Sequence, residues 1–181
     1  SFTQFKGSFL VSAESSPTYV DGDAKIVVIG TDKQGNTTPA GTIPSIGGYL
    51  AIDTKPPKFE ITYWKDSGLS IKADQDINLL PITKAGSLYM RIRSYELLDE
   101  APTINVEQQG TGDVVSAAVT TVSGSDVLYS YAYNAMTDNG STHEDGIAYI
   151  SMNATDVAGN QASASAPLIG DRFVIDTKPP R

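Results

Sequence analysis

Apolar and polar residues alternate with a period of two over several short stretches of the chain, which predicts β-strands with one buried face. In residues 87–94, three apolar side chains share one face, while Tyr89, Arg91 and Arg93 share the other. Similar stretches predict further strands at 59–64, 102–108, 114–122, 129–135, 146–155 and 173–175. About seven short strands separated by turns are typical of a β-sandwich, so we predict an all-β fold.

A repeat divides the chain. The string Ile-Asp-Thr-Lys-Pro-Pro occurs at 52–57 and again at 175–180. Upstream of each copy, Asp-Gly-x-Ala-x-Ile and Thr-Asp-x-x-Gly-Asn follow one another within 21–36 and within 145–160. A repeated series of motifs indicates tandem copies of one structural unit. We therefore predict a complete domain at 58–181, preceded at 1–57 by the C-terminal part of another copy.

The first predicted domain is incomplete, because no counterpart of residues 58–124 precedes Ser1. Half of such a unit cannot close a two-layer core. We expect the chain to be cut from a longer array, since Ser1 is not Met and Arg181 stops just past a repeat boundary. The alternative is that a neighbouring subunit supplies the missing strands. The paired prolines end each strand and favour a stiff exit, which predicts a joint between domains.

Composition excludes several classes of function. The chain has no Cys, so it cannot form disulfides or thiolate metal sites. Its net charge of −8 argues against binding to nucleic acid or to anionic membranes. No apolar stretch is long enough to cross a bilayer, so we expect no membrane insertion in this segment.

No catalytic pattern stands out. The one histidine, His143, lies in a loop, and acid–base catalysis needs a positioned partner. Nucleophile elbows, His-Glu-x-x-His motifs and phosphate-binding loops are missing from the sequence. We therefore expect a protein that is not an enzyme.

The order of motifs resembles that of bacterial immunoglobulin-like repeats in large surface adhesins and other multidomain exoproteins. The series is Tyr-x-Tyr-x-Tyr, Asp-Gly-x-Ala-x-Ile, Thr-Asp-x-x-Gly-Asn and Phe-x-Ile-Asp-Thr-x-x-Pro. The resemblance implies tandem immunoglobulin-like β-sandwich domains at an extracellular or cell-surface location. It also implies that neighbouring repeats of the same array are the partners of this segment.

Calcium binding at the joint is a hypothesis that this topology makes specific. An immunoglobulin-like sandwich would bring the loop after its second strand and the loop between its last two strands to the pole where the linker enters. Calcium prefers six to eight hard oxygen ligands. The candidate ligands are Asp53, Glu96, Asp99, Glu100, Asp156 and Asn160. The alternative is that Asp156 and Asn160 only form a turn.

The sequence thus predicts a structural repeat that acts as a semi-rigid stalk or spacer in adhesion. One alternative is a filament-forming subunit completed by strand complementation from an identical neighbour. Another is a carbohydrate-binding or adhesive module, for which the aromatic row Tyr129, Tyr131 and Tyr133 would supply an exposed platform. Core packing of the same row is the competing interpretation.

Overall fold

The structure is a computed structural model that describes residues 6–11, 21–44, 46–108, 111–115 and 127–179. The chain divides into two compact units, Ser1–Lys55 and Pro56–Arg181. Every helix or strand assigned in the described residues is a β-strand, so the fold is all-β. Within the described part of the chain, no helix is long and apolar enough to cross a bilayer.

Among its described residues, the first unit contains one antiparallel pair of strands. Strand β1 (Gly22–Lys25) runs antiparallel to β2 (Tyr49–Ile52), with Gly22 opposite Ile52 and Lys25 opposite Tyr49. Between the two strands, an isolated bridge joins Thr31 to Thr37. The bridge encloses the Thr-Asp-x-x-Gly-Asn motif in a tight turn.

The second unit has ten strands among its described residues. They are β3 (Phe59–Trp64), β4 (Asp74–Gln75), β5 (Pro81–Thr83), β6 (Gly86–Ser94), β7 (Thr103–Gln108), β8 (Thr111–Val115), β9 (Val127–Ala135), β10 (Gly146–Thr155), β11 (Gln161–Ser165) and β12 (Arg172–Ile175). The predictions of strands at 59–64 and 146–155 match β3 and β10 residue for residue. Of the predicted strand 114–122, only 114–115 falls within β8, and 116–122 lies outside the described residues.

These strands form two sheets. One has the order β3-β6-β9 and is antiparallel throughout. The other has the order β4-β5-β12-β10-β7-β8, with β11 also paired to β10. Its pairs are antiparallel except for β5 and β12, which run parallel. The sequence did not predict β4, β5 or β11, which are only two, three and five residues long.

A single core fills the second unit, because alternate residues of the strands in both sheets are buried. Tyr63 in β3 of the three-stranded sheet contacts Phe173 in β12 of the larger sheet, with ring centroids 5.4 Å apart. The fully or nearly fully buried apolar residues are Phe59, Ile61, Tyr63, Leu88, Met90, Ile92, Ile104, Val106, Tyr129, Tyr131, Tyr133, Ala135, Ala148, Ile150, Met152, Ala162, Phe173 and Ile175. The arrangement is that of a β-sandwich.

One segment of the chain passes from the three-stranded sheet to the larger sheet. Residues 168–170 run beside β3, where the Ile61 amide donates to the Ile169 carbonyl at 2.9 Å, and the chain then enters β12. Gly170 has φ of +77°, and a Cβ there would lie 2.2 Å from the Ile61 carbonyl oxygen. Only glycine fits so close a backbone approach. This crossing joins the sheets along one side of the sandwich.

Candidate functional site

The Asp-Thr-Lys-Pro motif at the end of β12 is tied to the start of β10. The Thr177 hydroxyl donates to Asp145 Oδ1 at 2.8 Å, and the Thr177 amide donates to Asp145 Oδ2 at 3.0 Å. The same hydroxyl accepts a hydrogen bond from the Asp138 amide at 3.1 Å. The strand therefore leaves the sandwich through a threonine that is held by one carboxylate and one loop amide. We call this contact between an aspartate and a threonine within one unit the joint of that unit.

A second carboxylate strengthens this joint. Lys178 Nζ lies 2.7 Å from Asp138 Oδ2. Asp138 also accepts hydrogen bonds from the amides of Asp145 and Gly140. The Lys178 hydrogen bond, followed by these two amides, lowers the pKa of Asp138 below its ordinary value, because each favours the ionised form.

The first unit has the same kind of joint. Thr54 Oγ1 donates to Asp21 Oδ1 at 2.8 Å. Asp21 and Thr54 occupy the same motif positions as Asp145 and Thr177. In each unit, therefore, the aspartate of Asp-Gly-x-Ala-x-Ile binds the threonine of Asp-Thr-Lys-Pro-Pro. Two motifs that are far apart in sequence form one structural feature.

Strand register agrees between the units as well. Gly22 lies opposite Ile52 in the first unit, just as Gly146 lies opposite Ile175 in the second. Beyond the paired residues, the Ile26 amide donates to the Gly48 carbonyl at 2.8 Å. At the equivalent position, the Ile150 amide donates to the Asp171 carbonyl, also at 2.8 Å. The sequence repeat is therefore also a repeat of backbone geometry.

The Thr-Asp-x-x-Gly-Asn motif forms a turn around its aspartate. Asp156 Oδ1 accepts the amides of Ala158 at 2.8 Å and Asn160 at 2.9 Å, while Oδ2 accepts Asn160 Nδ2 at 2.9 Å. Gly159 has φ of +93°, a conformation that glycine adopts without steric cost. Asp156 is only 2% exposed, so these bonds compensate the burial of its charge.

Two of the predicted calcium ligands meet in the second unit. The Leu97 carbonyl accepts the Val157 amide and the Thr155 carbonyl accepts the Asp99 amide, so the loop after β6 runs beside the Asp156 turn. Buried Ser94 binds both the carbonyl and the amide of Glu96, at 2.6 and 3.3 Å. One carboxylate oxygen of Glu96 consequently lies within 4.8 Å of one from Asp156.

The other candidate ligands have different surroundings. Asp99 and Glu100 line a groove of about 440 Å³ beside β7, β10 and β11. The Asn160 side-chain amide binds Asp156 within the turn. Asp53 belongs to the first unit, where its Oδ1 accepts the Lys55 amide at 3.2 Å. Glu96 and Asp156 alone supply too few oxygens for the six to eight that calcium prefers, so the calcium site stays a prediction.

The aromatic row of β9 is not an exposed platform. Tyr129, Tyr131 and Tyr133 are 5%, 4% and 3% exposed, so the prediction of core packing is confirmed. The Tyr131 hydroxyl donates to the Pro102 carbonyl, and the Tyr133 hydroxyl donates to Gln108 Oε1 at 2.9 Å. Burial, with a smaller contribution from Tyr129, raises the pKa of Tyr131 to about 12.

His143 lies in the loop between β9 and β10. Its Nδ1 is 3.1 Å from Thr142 Oγ1, and its carbonyl accepts the Asn139 amide at 2.9 Å. Asn139 Oδ1 accepts the amides of Ser141, Thr142 and His143, so the segment forms a compact turn. These contacts of His143 with Thr142 and Asn139 are those of a turn residue.

A group of aromatic and basic residues on the outer face of the three-stranded sheet has no counterpart in the sequence predictions. Arg91 Cζ is 4.9 Å and Lys72 Nζ is 6.0 Å from the centroid of the Trp64 indole ring. Tyr89 lies directly opposite Trp64 in the strand register. Alternation predicts that Tyr89 and Arg91 face outward, but the register that places Trp64 beside them comes only from the folded sheet.

No protein-family model matches the chain, and no curated protein matches it.

Proposed function

We propose that this chain is a non-catalytic segment of an extracellular, cell-surface array of immunoglobulin-like domains, in which it acts as a semi-rigid spacer. The strand order of the second unit supports this proposal. In an immunoglobulin-like sandwich, the first, second and fifth strands share one sheet, while the third, sixth and seventh share the other. With β3, β6 and β9 in one sheet and β7, β10 and β12 in the other, six of the main strands follow that order, whereas β8, the fourth, pairs with β7.

The observation that carries the proposal is the joint that occurs once in each unit. Asp21 holds Thr54, and Asp145 holds Thr177. Each joint fixes the last strand to the body of its unit immediately before a pair of prolines. Prolines restrict the backbone and have no amide proton, so the chain leaves each joint in a restricted direction. A spacer needs such an exit from every repeat.

Small-angle X-ray scattering of tandem proteins tests the proposal. Residues 58–181 would be repeated two, three and four times, and the maximum dimension of each protein measured. A semi-rigid spacer predicts that this dimension rises linearly with the number of repeats. Flexibly linked domains predict growth near the square root of that number, and this result would overturn the spacer function.

The spacer function does not require calcium, and the calcium hypothesis is tested separately. Ca²⁺ that binds only the folded state raises the melting temperature as its concentration increases. Because Asp156 already accepts three hydrogen bonds within its turn, we expect no change in melting temperature on adding excess chelator. A rise with Ca²⁺ that Glu96→Gln abolishes would assign a metal site to this loop instead.

Strand complementation is the second candidate function, and exposed apolar residues in the first unit favour it. Ile26 is 41% exposed, whereas its counterpart Ile150 is 3% exposed. Leu50 is 45% exposed, whereas its counterpart Phe173 is fully buried. In the second unit, the strands of the other sheet cover these positions. Equivalent strands from an identical subunit would cover them in a filament.

Sedimentation velocity distinguishes the two functions. A filament subunit predicts a series of species that lengthens with protein concentration. The matched variants are Ile26→Thr, which reduces the apolar face of the first unit, and Ile147→Thr, which changes an exposed residue of β10 in the second. Complementation predicts that only Ile26→Thr shortens the series, and equal effects of both variants would count against it.

A further inference from the structure

The loop between β9 and β10 contains the one Asn-Gly pair of the sequence, Asn139-Gly140. Both residues are exposed to solvent. An asparagine side chain can react with the amide nitrogen of the residue that follows it, and a glycine there has no side chain to obstruct that nitrogen. The reaction closes a five-membered succinimide ring and releases ammonia. Its rate depends on the groups that contact the Asn139 side chain and the Gly140 amide.

Three backbone amides donate to the side-chain oxygen of Asn139. Its Oδ1 accepts the amides of Ser141 at 3.0 Å, Thr142 at 3.0 Å and His143 at 3.1 Å. Attack on the Cγ atom moves negative charge onto Oδ1, and amide donors that are already in place stabilise that charge. The three bonds also keep the side chain folded back over the following residues, the direction in which the Gly140 nitrogen lies.

A carboxylate contacts the proton that the attacking nitrogen must lose. The Gly140 amide donates to Asp138 Oδ1 at 2.8 Å. A general base must lie within hydrogen-bond reach of the proton that it removes, and Asp138 meets this condition. An aspartate is ionised at neutral pH, so it can accept the proton there.

The leaving amine has a contact of its own. Asn139 Nδ2 donates to Thr142 Oγ1 at 2.8 Å. Once the Cγ atom has become tetrahedral, Nδ2 carries a lone pair, and the hydroxyl can rotate to donate its proton to it. The hydroxyl regains a proton from solvent, to which Thr142 is exposed. A base, a set of oxyanion donors and a proton donor thus surround a single side chain.

We propose that Asn139 is a self-deamidation site, at which the folded turn accelerates the conversion of asparagine to aspartate or isoaspartate. Asp138 takes the Gly140 amide proton as the Gly140 nitrogen bonds to Cγ of Asn139. The Cγ–Nδ2 bond then breaks, which releases ammonia and leaves a succinimide. Water opens the ring at Cγ to give aspartate, or at the backbone carbonyl to give isoaspartate. One water is taken up and one ammonia is released, with no oxidation or reduction.

The modification would act on the joint of the second unit. The Asp138 amide donates to Thr177 Oγ1 at 3.1 Å, and Asp138 Oδ2 lies 2.7 Å from Lys178 Nζ. Deamidation adds a negative charge at residue 139, directly beside Asp138. Aspartate can accept the same three amides and keeps the turn. Isoaspartate lengthens the backbone by one carbon atom and disrupts those bonds, so it loosens the loop that contacts the joint.

Peptide mapping of the full chain by mass spectrometry tests the proposal, after incubation at neutral pH with and without guanidinium chloride. We expect Asn139 to deamidate about tenfold faster or more in the folded chain than in the unfolded chain, because a positioned base and oxyanion donors each accelerate such a step. Asn36 provides an internal control. It is exposed and also lies in a turn, but the β-branched Thr37 follows it, so it should remain intact.

Three variants test the assigned roles. Asp138→Asn keeps an oxygen that can accept the Gly140 amide but removes the base, and it should slow deamidation about tenfold or more. Thr142→Val removes the proton donor and should also slow the reaction, whereas Thr142→Ser keeps the hydroxyl and should retain the rate. Circular dichroism and thermal melting show which variants fold.

The proposal is overturned if Asn139 deamidates no faster in the folded chain than in the unfolded chain, since the turn would then protect the side chain. It is also overturned if neither folded Asp138→Asn nor folded Thr142→Val reacts more slowly than the original chain. The first comparison needs no variant, so it decides the outcome even if a substitution prevents folding.

Discussion

The two Thr-Asp-x-x-Gly-Asn turns make the same bonds in different surroundings. Asp32 accepts the amides of Gln34 and Asn36 and the Asn36 side-chain amide, at 2.8–2.9 Å. Asp156 accepts the equivalent three groups over the same range of distances. Yet Asp32 is exposed, while Asp156 is buried. Local sequence is therefore sufficient to form this turn, whereas burial depends on the strands and loops packed around it.

The largest expected difference between the turns comes from removing the aspartate. Asp156→Ala leaves two backbone amides and one side-chain amide without acceptors in a buried site, so it should cost about 3 kcal/mol of unfolding free energy. Asp32→Ala exposes the same groups to water and should cost much less. Urea denaturation of the second unit and amide exchange at Asn36 measure the two effects. Similar losses in both would show that burial does not control the energetics.

The joints provide the next comparison. Thr177→Val removes a hydroxyl that donates to Asp145 and accepts from Asp138, and should destabilise the second unit by about 1–2 kcal/mol. Thr54→Val removes the donor to Asp21. We expect this change to act locally, increasing amide exchange at the end of β2. Thr177→Ser keeps the hydroxyl and serves as the control that should retain most of the stability.

A third turn of this kind contains a residue that does not suit its backbone. Asp76 binds the amides of Asn78 and Leu80, as Asp156 binds those of Ala158 and Asn160. At the glycine position stands Leu79, with φ of +63° and its side chain 71% exposed.

Leu79→Gly should therefore stabilise the fold by about 0.5 kcal/mol, since relief of strain exceeds the added flexibility of the unfolded chain. The reciprocal variant, Gly159→Ala, should destabilise it by about 1 kcal/mol. Thermal denaturation measures both changes. If Leu79→Gly lowered the melting temperature, Leu79 would be contributing packing that exceeds the strain.

The smallest effects concern pH. The Asn36 side chain is the main cause that lowers the pKa of Asp32, while Lys178 is the main cause for Asp138. Both folded pKa values lie below the ordinary 3.8, so the stabilisation is present above that pH and is lost as pH falls through the folded value. Lys178→Gln should raise the pKa of Asp138 and leave that of Asp32 unchanged. Carboxyl titration by NMR checks this, and a shift at both sites would contradict the assigned cause.

Much of the sandwich follows from patterns along the chain. Alternation places β6, β7, β9 and β10 in the sequence and identifies the residues that share one face of each, because period two is a local property of a strand. Strands β4, β5 and β11 escape prediction, since they are two to five residues long and gain their stability from pairing with distant strands. Pairing with a distant strand produces no recognisable sequence pattern in so short a segment.

The candidate sites were also predicted only in part. The repeat identifies Asp145 and Thr177 as significant positions, but it does not show that they bind each other. Topology brings Glu96 beside Asp156, as the sequence predicts, while Asp99 and Glu100 line a separate groove. Alternation predicts that Tyr89 and Arg91 face outward, but not that Trp64 and Lys72 lie beside them. These four residues come from β3, β6 and the segment before β4, and only strand register places them together.

By itself, the sequence determined the all-β fold, the repeat, the inward faces of the main strands and the bonding of the Asp32 and Asp156 turns. Each depends on residues that are close along the chain. Tertiary structure alone decided the pairing of Asp145 with Thr177, the burial of Asp156 and the two cations around Trp64. These features depend on which strands become neighbours, and that is settled by packing of the whole sandwich core.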